Sequence, residues 1–219
     1  MEFELRKGWG NIVCNMLRHA AYGCQYVLRP IAFRIGTQSS ILSGTSLVIE
    51  DMLEFTTSIA ELQYLPSSDK KDVNKPFVCH YRINSVLKVN DLNTHDLKII
   101  GGEPDKSILH LVPNSDSACD LFIYFRYDKG YFTKDENTEF LYENKEYLGI
   151  SDKDFNYLVP ISSRHCNVTD FRFRVRPDLY YDNVELIIKN AYGDDETQIL
   201  NSAKKELIEV IRNVGTNKV

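Results

Sequence analysis

The sequence predicts a mixed α+β protein, and three observations predict it. Helical apolar spacing occurs near both chain ends, short runs with strand character fill the middle, and the two kinds of segment do not alternate regularly as parallel βαβ units would. The chain has 219 residues, 43% of them hydrophobic and 26% charged. At that size about 70% of the unfolded surface can be buried, so a substantial core is available. No internal repeat or low-complexity tract interrupts it.

Residues 2–6 alternate weakly as a short strand, with Gly8 and Gly10 as punctuation. A helix follows from Asn11, a good N-cap residue. Ile12, Val13, Met16, Leu17, Ala20 and Ala21 share one face of it, and Gly23 is placed to close it in a left-handed turn. In YVLRPIAFRIG, Pro30 interrupts an alternating run, which suggests an edge strand ending at Gly36. After a Ser/Thr/Gly loop over 37–46, VIEDMLEFTTSIAELQYL has helical spacing through Ile49, Met52, Leu53, Ile59 and Leu62. A polar loop over 66–75 leads to four strand-like runs, FVCHYRI, DLKII, ILHLV and DLFIYFRY, read as one small antiparallel sheet. The acidic stretch Asp135 to Asp154 reads as a surface excursion. YLVPIS, VTDFRFRV and NVELIIKNA add three strands. A last helix, capped by Asp194, carries Ile199, Leu200, Ala203, Leu207, Val210 and Ile211 in one stripe.

The search for chemistry excludes more than it finds. A net charge of −5 is too acidic for a chain whose main task is gripping phosphates. Five scattered cysteines without a CxxC pair describe neither a disulfide framework nor a zinc ribbon, and point to a reducing compartment. The N-terminal residues lack the apolar core of a secretory signal, and no apolar run is long enough to span a bilayer. Phosphate-loop, dinucleotide, serine-hydrolase and zinc-protease motifs are absent. Cys79-His80 and His165-Cys166 are neighbours that a strand points to opposite faces, so each pair delivers one metal ligand at most. The acids from Asp135 to Glu146 are interleaved with lysines and read as a solvated loop. Arg172, Arg174 and Arg176 fall on one face of a strand, Phe171, Phe173 and Val175 on the other. No catalytic residue and no metal or cofactor site is expected. What remains are two terminal amphipathic helices whose apolar faces exceed what one small sheet covers, the mark of an oligomer interface.

Several blocks carry a family resemblance. Lys7-Gly-Trp-Gly-Asn-Ile-Val-Cys-Asn-Met-Leu-Arg18-His19 resembles the RGxGxTLGNALRR opening of the α subunit of bacterial-type DNA-directed RNA polymerase. Val48-Ile-Glu-Asp-Met-Leu-Glu54 resembles that family's VQEDxLEI segment, at matching distance. Asp128-Lys-Gly-Tyr131 is similar to its GRGY turn, Val168 to Val175 to its VERIAYNV strand, and Leu186 to Ile211 to its closing strand and helix. The likeness spans nearly the whole chain in the family's order.

The resemblance implies the fold of the α N-terminal region. A dimerisation domain would be built from both chain ends, residues 1–26 and 160–219, around an inserted β-rich domain, residues 27–159, that meets the large subunits. It implies a homodimer, formed through Met16, Leu17, Leu207 and Ile211, as the platform for the β and β′ subunits. Arg18, His19, Ser43, Gly44, Arg164 and Asp170 are the implied contact residues for those partners. Catalysis and magnesium belong to the large subunits, DNA is met only through the complex, and no membrane is involved. The family's separate C-terminal DNA-binding domain is expected to be absent. Three contact motifs depart from the family: His19 replaces a second Arg, Ser-Ile-Leu-Ser-Gly-Thr45 replaces LHEYST, and His-Cys-Asn-Val-Thr-Asp170 replaces YSPVER. The abundance of Asn, more than twice that of Ala, suits an A+T-rich genome and with it a plastid or other organelle, with a bacterial cytoplasm as the alternative. Competing readings are an α-like subunit of the archaeal or nuclear type, a stand-alone protein-binding module and a Cys/His enzyme.

Overall fold

Each element forms where apolar period and local hydrogen bonding agree. The structure, a computed structural model, describes residues 1–37, 40, 47–67, 70–112 and 118–214. Along the chain run β1 (Glu2–Arg6), α1 (Gly10–Gly23), β2 (Val27–Ile35), α2 (Met52–Glu61), β3 (Gln63–Pro66), β4 (Phe77–Ile83), β5 (Val86–Lys88), a 3-10 turn (Val89–Leu92) and β6 (Leu97–Ile100). Then come β7 (Ser107–His110), β8 (Cys119–Asp128), β9 (Gly130–Phe132), α3 (Lys134–Glu143), α4 (Asp152–Phe155), β10 (Val159–Pro160), β11 (Ser163–His165), β12 (Val168–Pro177), β13 (Tyr181–Asn190) and α5 (Glu196–Asn213). This mixed α+β chain divides into two units, one of Met1–Tyr26 with Cys166–Val219, the other Val27–His165.

In the unit made from both chain ends, an antiparallel sheet has the order β1-β13-β12. Strand alternation turns Phe171, Leu186 and Ile188 inward, where they pack with Leu17 and Ala21 of α1 and with Ile199, Leu200 and Ala203 of α5, and Val184 is buried as well. Arg172, Arg174 and Arg176 stand outward on β12.

The capping differs from the sequence reading. Helix α1 starts at Gly10, with Trp9 rather than Asn11 at the N-cap and no side-chain cap of its own. The missing acceptor comes from the far end of the chain: one carboxylate oxygen of buried Asp182, on β13, accepts from the amides of Gly8 at 2.9 Å and Gly10 at 2.8 Å. It satisfies otherwise orphaned donors and lays negative charge at the positive end of the helix. Gly10 is required there, because a Cβ would lie 2.6 Å from Cγ1 of Val175. Gly23 does not take the expected left-handed turn; the helix ends at Cys24 with φ −93°. Helix α5 is capped by Asp195, one residue beyond the expected Asp194, through the Thr197 amide at 3.0 Å. Asp194 instead accepts from Asn167 Nδ2 at 3.0 Å.

In the unit Val27–His165, the main sheet has the order β4-β8-β2-β3-β6, with β10 also on β2. Strand β2 is therefore interior and not the expected edge. Pro30 stands opposite Phe125 of β8 directly beside a register shift, in which Ile31 is the extra residue before Ala32 pairs with Tyr124, and prolines within sheets are found at such bulges. The expected single small sheet is also corrected: β7 leaves it and pairs with β5. Helix α2 stops at Glu61, Leu62 is already extended, and residues 63–66 become β3 instead of prolonging the helix. Phe33, Met52, Phe55, Ile59 and Tyr64 fill the core between α2 and the sheet.

The acidic stretch is no loop. Thr133 and Glu136 form a reciprocal capping box, and α3 follows. Leu141, Ile150 and Leu158 bury a second apolar cluster against Ile31, Ala32 and Tyr124 of β2 and β8. Residues 160–165 stay with this unit, because β10 pairs with β2 and β11 pairs with β9. The boundary expected at 159/160 thus falls at 165/166.

Replacing Asp182 by Ala leaves two amides at the start of α1 without their acceptor and should cost about 2–4 kcal/mol. Urea unfolding checks this, and Asp182→Asn, which keeps one acceptor oxygen, should lose less.

Candidate partner-binding faces

Helices α1 and α5 carry more apolar surface than their own unit covers. On α1, Ile12 and Met16 are exposed, the latter by 36%, while Leu17 and Ala21 enter the core. Ile12, Met16, His19 and Gly23 recur at helical spacing on the outer side, Leu207, Val210 and Ile211 do the same on α5, and Val214 follows just past its end. Ile211 is 53% exposed, and Ile208, Val210 and Val214 are exposed with it. Leu207, half-buried, lines two grooves. One, of about 580 Å³, runs past Phe3, Leu5, Val13 and Leu200; the other, of about 390 Å³, contains Met16, His19 and Glu206. Of the four residues expected at a dimer face, Met16, Leu207 and Ile211 reach the surface. Leu17 is corrected to a core residue, only 4% exposed and packed within its own unit.

The expected contact residues are placed as follows. Arg18 is half-buried and His19 exposed on α1, and successive helical residues diverge by about 100°, so the two point apart. Ser43 and Gly44 lie outside the described residues. Asp170, on β12, pairs with Arg172 at 2.9 Å. Arg164 is exposed on β11 in the other unit, directly across the ladder from Tyr131 of β9, itself 61% exposed. Arg164 and Asp170 therefore belong to different units. The ribbon that joins Arg164 to the Asp128–Tyr131 turn escaped sequence reasoning, since the paired strands are only three residues long.

A buried polar chain fixes this ribbon. Asn137 Nδ2 donates to the Ile161 carbonyl at 2.8 Å and to Ser163 Oγ at 3.0 Å. Ser163 Oγ lies 3.0 Å from His165 Nε2, and His165 Nδ1 lies 2.7 Å from the Val27 carbonyl. A carbonyl only accepts, so Nδ1 carries the proton and Nε2 accepts from the serine hydroxyl. Phe132 meets the imidazole edge-on. The Arg126 guanidinium lies 3.7 Å from the Phe132 ring centre and 4.0 Å from that of Phe140, with Asp128 at 2.6 Å. Burial pushes the His165 imidazole down to about 4. The serine–histidine pair is enclosed, with Ser163 and His165 both buried, so it supports the ribbon and offers no nucleophile to solvent.

The remaining polar candidates have local partners. Cys79 is buried while His80 faces outward, 2.8 Å from Asp120 and stacked on Phe122. No group of three metal-ligating side chains occurs among the described residues. None of the five cysteines is in a disulfide, and burial raises the thiols of Cys14, Cys24, Cys79 and Cys119, which keeps them protonated. The arginine stripe is partly neutralised: Arg176 reaches Glu185 at 3.3 Å, and Arg174 sits opposite Glu185 in the ladder. Among the described residues no helix is long and apolar enough to cross a membrane.

No known protein-family profile matches the chain, and no curated protein is similar enough to count as a relative.

In the unfolded chain the His165 imidazole takes up its proton near pH 6.5; in the folded protein it resists protonation down to about 4. Between these values the unfolded state binds more protons, so stability falls as pH drops from about 6.5 to about 4, by up to about 3 kcal/mol. Chemical denaturation across that range should show the slope, and His165→Gln should flatten it.

Proposed function

We propose that this chain is the non-catalytic α subunit of a multisubunit DNA-dependent RNA polymerase, pairing with a second copy to form the platform on which the two large subunits assemble. The observation that supports it most is the unit made from both chain ends, whose helices α1 and α5 leave Ile12, Met16, Val210 and Ile211 exposed. A monomer would hold these side chains in water, whereas a pair encloses them at ~1.5 to 3 kcal/mol for each one fully buried. The resemblance of the Lys7–His19 and Val48–Glu54 blocks supplies the identity of the partners. Enzyme activity then belongs to the assembly, with magnesium in the large subunits, and a plastid or other organelle is the proposed setting.

The direct test is co-purification. Native protein isolated under mild conditions should bring down two very large polymerase subunits; recovery of the chain without them would overturn the reading. Leu207→Asp combined with Ile211→Asp should convert the dimer to monomer or aggregate by light scattering. Arg18→Ala should leave dimer and thermal stability nearly unchanged but weaken capture of the β-like subunit at least ~10-fold, because truncating one partner of a buried charged hydrogen bond costs ~2 to 5 kcal/mol. His19→Ala should do less. Equal capture by wild type and Arg18→Ala would move that contact elsewhere.

A further inference from the structure

We propose that the outer edge of β12 receives an extended segment of a partner protein in which acidic and apolar residues alternate, added as a fourth strand to the sheet of the end-built unit. Strand β12 closes the order β1-β13-β12 and runs for 10 residues, Val168–Pro177. Among the described residues, its backbone from Phe171 to Arg176 bonds only toward β13. Such a row of unpaired amides and carbonyls is a template for one more strand.

The side chains state which strand fits. Arg172, Arg174 and Arg176 stand exposed on the outward face, while on the other face Phe171 is buried but Phe173 and Val175 are only half-buried. Alternate side chains of a strand recur every ~6.6 Å. A neighbour with carboxylates at alternate positions therefore sets one beside each arginine, and its apolar residues, turned to the other face, cover Phe173 and Val175. Arg172 reaches Asp170 at 2.9 Å and Arg176 reaches Glu185 at 3.3 Å, but both guanidinium groups stay largely exposed, and surface pairs of this kind hold them weakly. Arg174 is the open member. It faces Glu185 across the ladder, yet that carboxylate is engaged by Arg176, and no ion pair to Arg174 occurs among the described residues. The same arginines refuse a second β12, because like charges would meet across the junction. Glu2, Glu4 and Glu185 share the outward face and oppose a phosphate chain, which favours a peptide over a nucleic acid.

Fluorescence anisotropy with an end-blocked, labelled peptide of alternating glutamate and valine, added to the full chain, tests this. The peptide should bind, and Arg174→Glu should weaken it at least ~10-fold while Arg174→Lys keeps most of the affinity. Position 174 is exposed, and unchanged circular dichroism shows that the variants fold. A peptide of alternating lysine and valine should not bind, nor should the acidic peptide with all its backbone nitrogens methylated. Absence of binding, affinity indifferent to Arg174→Glu, or binding that survives methylation overturns the proposal. Tighter binding of single-stranded polyuridine than of the peptide would assign the arginines to nucleic acid and overturn it too. A second copy could offer β1, where Glu2 and Glu4 alternate with Phe3 and Leu5; open-ended assembly of the chain alone, abolished by Arg174→Glu, would make that strand the occupant in place of a foreign one. None of these outcomes touches the dimer reading, which concerns α1 and α5.

Discussion

The pair of hydrogen bonds from the Gly8 and Gly10 amides to Asp182 is the constraint on which the end-built unit depends. It joins the loop before α1 to β13 and so brings together two segments separated by the whole middle unit. Helix α1 has no cap of its own at Trp9, so its start is set by a residue of the other chain end. The close approach needs Gly10, whose lack of a side chain admits both Asp182 and Val175. With the start of α1 fixed, the helix phase follows: Cys14, Leu17 and Ala21 turn inward, and Ile12, Met16 and His19 turn out.

That phase divides one apolar helix between two jobs. The inward stripe meets Ile199, Leu200 and Ala203 and completes the unit's core. The outward stripe continues onto the last turns of α5, where Ile208, Val210, Ile211 and Val214 have little cover from their own chain. The groove lined by Met16, Leu207 and Val210 therefore opens among the exposed side chains of both helices.

Much of this was legible because local period and burial agreed. Both terminal helices, β1, β4, β8, β12 and β13 were visible from spacing, and the alternation of Arg172 to Arg176 with Phe171 to Val175 placed β12 correctly. The failures have physical causes. Pro30 suggested an edge because it lacks a donor, yet it lies inside the sheet beside a register shift, a place where proline also occurs. Residues 63–65 lay in the stretch read as helix, and it is pairing with β2 on one side and β6 on the other that makes them a strand. The composition of 135–154 hid α3, although Thr133 and Glu136 were already spaced as a capping box. Leu17 looked equivalent to Met16 in a list of apolar residues, because the boundary between core and surface on α1 depends on where β12 and β13 lie. The contact pattern around Arg164 was invisible for a similar reason: strands of three residues carry almost no periodic signal.

The bond between His165 and Val27 links the last residue of the middle unit to its first. Before that unit folds, the two halves of the end-built unit are tethered by a long flexible loop, and bringing them together carries a closure entropy on the order of 4 kcal/mol. Once it has folded, its two exits are fixed within reach of a single side chain, and most of that entropy has already been lost. With the middle unit folded, its closed neck holds the two chain ends at high local concentration for each other.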